Sequence, residues 1–236
     1  ADEAKWTKVD GTENVWKFYR NLPDCGTVVF DDAKCGTKMT PDLVDGKFDF
    51  DVRKDMSCNL AVFSDAADGD GALYLRCDDG NPGAVFESVE FSVKADGLTS
   101  LGDNVTVNNL AFKYYGGNGA TAANGVKGFI IFMNEYKWIG GSICRYEDGK
   151  GVRYGCGVEI CGDIERHFVD NCYFTEIYDA AISLKAETPM LMKKVIYSNN
   201  LIENCTVSMK YVHRGIEKDK LIDDFMIMSN ICRKAG

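Results

Sequence analysis

The sequence predicts an all-β protein: a small β-rich region over residues 1–83, then the coils of a parallel β-helix over 84–236. Three observations carry this. The 236 residues include 24 Gly, 11 Tyr and 13 Phe, a supply of turn and strand formers rather than helix formers. Apolar and polar residues alternate at period two in one short segment after another, the pattern of half-buried strands. From about residue 84 these segments recur with an Asn at one end, and a strand-built repeat of roughly 20–50 residues marks a solenoid.

The first region shows no internal repeat. Lys47-Phe48-Asp49-Phe50-Asp51-Val52 alternates, and Leu60-Ala61-Val62-Phe63 and Ala72-Leu73-Tyr74-Leu75 are apolar runs of strand length. Between them, Asp65-Ala66-Ala67-Asp68-Gly69-Asp70-Gly71 has the carboxylate spacing of a calcium loop but no bidentate Glu in register, so it reads as an Asp-Gly turn. Asn81-Pro82-Gly83 is a second turn.

The repeat follows. Asn104-Val105-Thr106-Val107-Asn108-Asn109, His167-Phe168-Val169-Asp170-Asn171, Val195-Ile196-Tyr197-Ser198-Asn199 and Phe225-Met226-Ile227-Met228-Ser229-Asn230 are strands ending in Asn, and Phe129 to Asn134 fits loosely. The Asn positions 109, 134, 171, 199 and 230 step by 25, 37, 28 and 31. Coils stacked at about 4.8 Å place like side chains in columns. Val107, Val169, Tyr197 and Ile227 form one expected core column. The turn Asn side chains are expected to bond the coils above and below. The long 37-residue step contains an insertion, Arg145 to Val152, which brings Glu147 and Asp148 onto a projecting loop.

Charge and composition remove several function classes. Against 27 Lys+Arg stand 36 Asp+Glu, a net charge of −9, and no basic run offsets it, which argues against nucleic acid as partner. No apolar run approaches the roughly 18 residues of a membrane-spanning helix. There are two His, His167 and His213, and no Cys-x-x-Cys pair among the ten Cys. Zinc sites and Ser-His-Asp or Cys-His chemistry therefore lose their usual ligands or spacing, and no metal site is assigned. Cys172, Cys205 and Cys232 read as small apolar fillers. Cys25/Cys35 or Cys58/Cys77 would pair as disulfides if the chain is secreted.

Trp138-Ile139-Gly140-Gly141-Ser142, Arg153-Tyr154-Gly155-Cys156-Gly157-Val158-Glu159 and Ile177-Tyr178-Asp179-Ala180-Ala181-Ile182 resemble the right-handed parallel β-helix proteins of carbohydrate-degrading bacteria, the broad pectate-lyase-like group. The resemblance spans roughly residues 100–232. It implies a right-handed coil, a poly- or oligosaccharide partner, and a secreted or cell-surface bacterial protein. Cys156 stands where Asn would be expected between the two glycines.

Glycoside hydrolysis needs two carboxyl groups flanking one bond. Glu159 and Asp179 are the candidates. Aligning Gly157-Val158-Glu159-Ile160 with Ala181-Ile182-Ser183-Leu184 puts Glu159 over Ser183 and Asp179 four residues along the next coil, up to about 13 Å of extended chain. That favours the wider separation of an inverting pair. Arg153 is the expected partner of one carboxylate, and Trp138, Tyr154 and Tyr178 are candidate sugar-contacting aromatics. Lys185 and Lys210, 25 residues apart, would stack nearby. Two other readings stand beside the hydrolase. A polysaccharide lyase would use Lys185 and Lys210 against a uronate, the one case in which calcium would enter as cofactor. A non-catalytic sugar-binding or scaffold β-helix needs no carboxylate pair.

Overall fold

A computed structural model describes residues 1–19, 24–39, 43–44, 47–48, 51, 56–65, 71–148, 150–186, 191–213 and 222–235. Its contacts divide the chain into two compact units, Ala1–Lys94 with Gly141–Tyr154, and Ala95–Gly140 with Gly155–Gly236.

The first unit is built of antiparallel strands. Trp6–Lys8, Val15–Tyr19, Ala72–Arg76 and Val62–Asp65 form one sheet in that order, and Cys35–Thr37, Cys25–Phe30 and Val89–Val93 form another. The apolar runs at 60–63 and 72–75 are thus adjacent strands, with Val62 opposite Leu75. In the 47–52 segment, Lys47–Phe48 pairs with Leu43–Val44, and the rest apart from Asp51 lies outside the described residues. So does the centre of the Asp65 to Gly71 turn. The Asn81-Pro82-Gly83 turn opens a single helical turn, Pro82–Val85. The Asn81 side chain caps it by accepting the Gly83 N–H at 2.9 Å.

No cysteine forms a disulfide. For Cys25/Cys35 register gives the reason. Cys35 lies opposite Phe30, so Cys25 is five residues away, about 16 Å, whereas bridged Cα atoms lie within about 7 Å.

The second unit is a parallel β-solenoid of about four turns. Its first sheet contains Leu98–Ser100, Ala120–Ala122, Val158–Cys161, Ala180–Ala186 and Val207–His213. Thr106–Asn108, Ile130–Phe132, Ile164–Asp170, Met192–Ser198 and Ile222–Met228 make the second. Ala111–Lys113, Glu135–Ile139, Tyr173–Ile177, Leu201–Glu203 and Ile231–Arg233 make the third. Val107, Ile131, Val169, Tyr197 and Ile227 do share a column. Its first four members are at most 4% exposed, but Ile227 in the last rung is 52% exposed.

A second column stacks aromatic rings. Phe112 lies 5.0 Å from Tyr136, and Tyr136 4.7 Å from Phe174, each pair within 7° of parallel. This stack explains the small residues opening the first-sheet strands. A Cβ at Gly157 would meet the Phe174 ring at 2.5 Å. Gly155 serves a different close approach. Where residues 141–154 leave and rejoin the solenoid, Gly140 and Gly155 pass so closely that a Cβ on Gly155 would stand 2.1 Å from the Gly140 Cα.

The repeating Asn residues fall into two neighbouring columns, not the single turn position the spacing suggests. Asn109, Met133, Asn171, Asn199 and Ser229 hold left-handed corners with φ between 53° and 57°, a conformation Asn tolerates well. One position on, Asn134, Asn200 and Asn230 form a bonding ladder. Asn134 accepts the Leu110 N–H and donates to the Val107 carbonyl, both at 2.8 Å. Asn200 does the same for Cys172 and Val169, both at 2.9 Å. Cys172 occupies the ladder position between them, where its sulfur accepts the Asn134 N–H at 3.4 Å.

Candidate functional site

Along the first sheet, strand register aligns Thr99, Thr121, Glu159, Ser183 and Lys210 in one column. Val158 and Ile160 on either side of Glu159 point into the core, so alternation turns this column outward. Glu159 nonetheless is only 7% exposed, because neighbours enclose it. Its Oε1 accepts from Ser183 Oγ at 3.3 Å and meets Lys185 Nζ at 2.5 Å, while Oε2 accepts from Asn118 Nδ2 at 3.4 Å. The Cys156 thiol lies 3.7 Å from Oε1.

Asp179 stands one residue before the next first-sheet strand and donates its N–H to the Gly155 carbonyl at 3.1 Å. Both of its carboxylate oxygens receive Lys210 Nζ, at 3.0 and 2.9 Å. The two acids are four residues apart along the path, and the thiol contact belongs to Glu159. Burial pushes the Cys156 thiol well above its ordinary value, and the charges of Glu159 and then Asp179 push it further. Cys156 is therefore a buried neutral thiol beside Glu159 and has no thiolate to offer as a nucleophile. Lys185 is half-buried, which alone would favour its neutral form. The Glu159 bond and charge outweigh that and hold the lysine above its usual range, so it stays an ammonium.

The structure thus pairs Glu159 with Lys185 and Asp179 with Lys210, but the two lysines do not stack as expected: register sets Lys210 beside Ser183 and Lys185 beside Val212. It places Arg153 elsewhere. That guanidinium belongs to the first unit, where it is buried against Asp24 at 3.4 Å and donates to the Gly141 carbonyl at 2.8 Å and to the Ser64 carbonyl. The sequence pairs it with Glu159 because the two are close along the chain; the geometry corrects this, since Arg153 lies on a hairpin. Strands Ser142–Glu147 and Lys150–Tyr154 pair antiparallel and belong to the first unit, as does Tyr154. Glu147, on that hairpin, is tied to Arg145 at 2.7 Å. Trp138 is 8% exposed and holds a left-handed corner of the third sheet, so its ring is enclosed in protein. Tyr178, half-buried beside Asp179, donates its N–H to the Ile139 carbonyl.

Sequence reasoning missed Asn118. It sits one rung before Cys156, accepts the Cys156 N–H at 2.8 Å and donates to Glu159. The signal was present: Gly117-Asn118-Gly119 repeats as Gly155-Cys156-Gly157, so the Asn expected at Cys156 stands one coil earlier. Among the described residues, no group of three or more His, Cys, Asp or Glu is placed to hold a metal ion. No helix among the described residues is long and apolar enough to cross a membrane.

Comparison of the chain with protein-family models, curated proteins and solved structures finds no match. The class that fold and site define is a parallel β-solenoid with two carboxylate–lysine pairs on its first sheet.

Proposed function

We propose that the chain is a carbohydrate-active enzyme that hydrolyses a glycosidic bond with Glu159 and Asp179 as its carboxyl pair. One observation carries this reading: Glu159 and Lys210 share one outward column of the first sheet, and Lys210 holds Asp179 of the neighbouring rung, so two acids from successive rungs belong to one sheet face. Their four-residue offset favours an inverting enzyme. Each acid has a defined partner. Lys185 and Asn118 fix the orientation of Glu159, and Lys210 fixes Asp179 from the following rung. Asp179, with a side chain 19% exposed against 9% for Glu159, is the acid closer to an incoming sugar.

The lyase reading draws on the same two lysines. Its base must release a proton near neutral pH, and Lys185 is held in its charged form, which suits it to neutralise charge rather than abstract a proton. The test is release of reducing ends from neutral and acidic polysaccharides, with ultraviolet absorbance followed in parallel. Hydrolysis that falls by at least two orders of magnitude in Glu159→Gln and in Asp179→Asn supports the assignment. Unchanged rates in both variants refute it, and a new ultraviolet-absorbing product identifies a lyase.

A further inference from the structure

We propose that the solenoid carries a second ligand site, a groove for a neutral oligosaccharide at the corner between the second and third sheets. The groove is shallow and open to solvent, with a volume of about 540 Å³, and Asn109, Leu110, Met133, Glu135, Asn171 and Tyr173 are among its lining residues. Volumes of this order hold small-molecule ligands. Its walls come from adjacent columns in successive rungs, with Asn109 and Asn171 two rungs, about 9.6 Å, apart and Met133 on the rung between them. A polymer with a repeat near one rung would meet an amide at every second unit and the Met133 side chain between.

The chemistry of the lining selects the ligand. Asn109 and Asn171 are exposed, and no hydrogen bond engages their side-chain amides among the described residues; their bonds to the fold run through the backbone N–H. Each amide offers donors and an acceptor, the pairing a sugar hydroxyl uses. Leu110 and Met133 are 51% and 46% exposed, and the half-buried Tyr173 also lines the groove, its hydroxyl donating to Glu203 at 3.2 Å. These supply apolar surface for sugar C–H faces. The charged lining residue Glu135 is neutralised by Lys113 at 3.0 Å, so neither a polyanion nor a cation finds an unmatched charge. An extended peptide would need an open sheet edge, and the strands at Glu135–Ile139 and Tyr173–Ile177 are paired on both sides. This groove lies at a different corner from Glu159 and Asp179 and does not depend on their role.

The test uses the full chain carrying Glu159→Gln and Asp179→Asn, so that cleavage cannot consume the probe. Xylohexaose and cellohexaose are titrated while side-chain amide resonances are followed by NMR. Saturable shifts of the Asn109 and Asn171 amides are expected with at least one probe. Asn109→Gly with Asn171→Gly removes both amides and keeps backbone that is at ease at positive φ. That variant should bind at least tenfold more weakly with an unchanged melting temperature. Absence of shifts with both probes, shifts confined to first-sheet residues, or undiminished binding by the glycine variant overturns the proposal. The hydrolase reading is judged separately by product release in the unsubstituted enzyme.

Discussion

Removing the charge of Asp24 should destabilise the first unit by several kcal/mol. The Asp24 and Arg153 side chains are 8% and 1% exposed, so neither charge can turn to water for compensation. Asp24 also accepts the Ile143 N–H at 2.5 Å and the Ser64 hydroxyl at 3.4 Å, which ties strand Ser142–Glu147 into the same node. In Asp24→Asn the shape and one acceptor oxygen survive, but the buried ion pair between Asp24 and the guanidinium is lost. Breaking a buried pair from one side costs about 3–5 kcal/mol, whereas replacing both members by apolar groups of similar size is often near neutral. With a urea slope of about 1–3 kcal/mol/M, the midpoint of the first unit's transition should fall by at least 1 M. Urea titration followed by circular dichroism measures it, with Asp24→Leu/Arg153→Met as the second variant. A loss under about 1 kcal/mol in Asp24→Asn, or a double variant no more stable than the single ones, would refute the reasoning.

Two further outcomes follow from the solenoid core. His167 is fully buried; burial lowers it from 6.5 to about 4, and its Nδ1 contacts the Phe129 carbonyl at 2.9 Å. The unfolded chain therefore binds the extra proton first, so His167's contribution is complete above about pH 6.5 and is lost as pH falls to 4. The loss is about 3 kcal/mol, and His167→Leu should flatten that part of the stability–pH curve. Along the shared column, Ile131→Ala should cost about 2–5 kcal/mol, while Ile227→Ala, already half-exposed, should cost less than about 1 kcal/mol in the same denaturation assay.

The solenoid was legible because its two periods are both written in the chain. Alternation fixes which residues face inward, and stacking makes them recur, so Val107, Val169, Tyr197 and Ile227 could be aligned by eye and do lie in register. The same logic set Glu159 over Ser183. It failed where two adjacent positions accept one residue type for different reasons. Asn199 serves a left-handed corner and Asn200 the bonding ladder, and pattern alone merges them. Arg153 was out of reach for another reason. Its partner lies 129 residues earlier, and a hairpin between glycines takes it out of the repeat that made its neighbours readable.

The charge arrangement of the first sheet follows from the spacing of rungs. Like charges stacked at about 4.8 Å would repel, and none meet in the outward column, where Thr121 and Ser183 flank Glu159 and Ser183 adjoins Lys210. Lys185, two residues beyond Ser183, returns to Glu159, and Lys210 reaches Asp179. Two carboxylates and two ammonium groups sum to zero at the site, although the chain as a whole carries −9. A charged sugar would have to displace one of these pairs to gain a contact, leaving the abandoned partner enclosed and uncompensated. A neutral sugar can exchange hydroxyl hydrogen bonds at the more open Asp179–Lys210 end while Glu159 keeps its donors. On the proposed hydrolase reading, this local balance favours a neutral over a charged glycan as substrate.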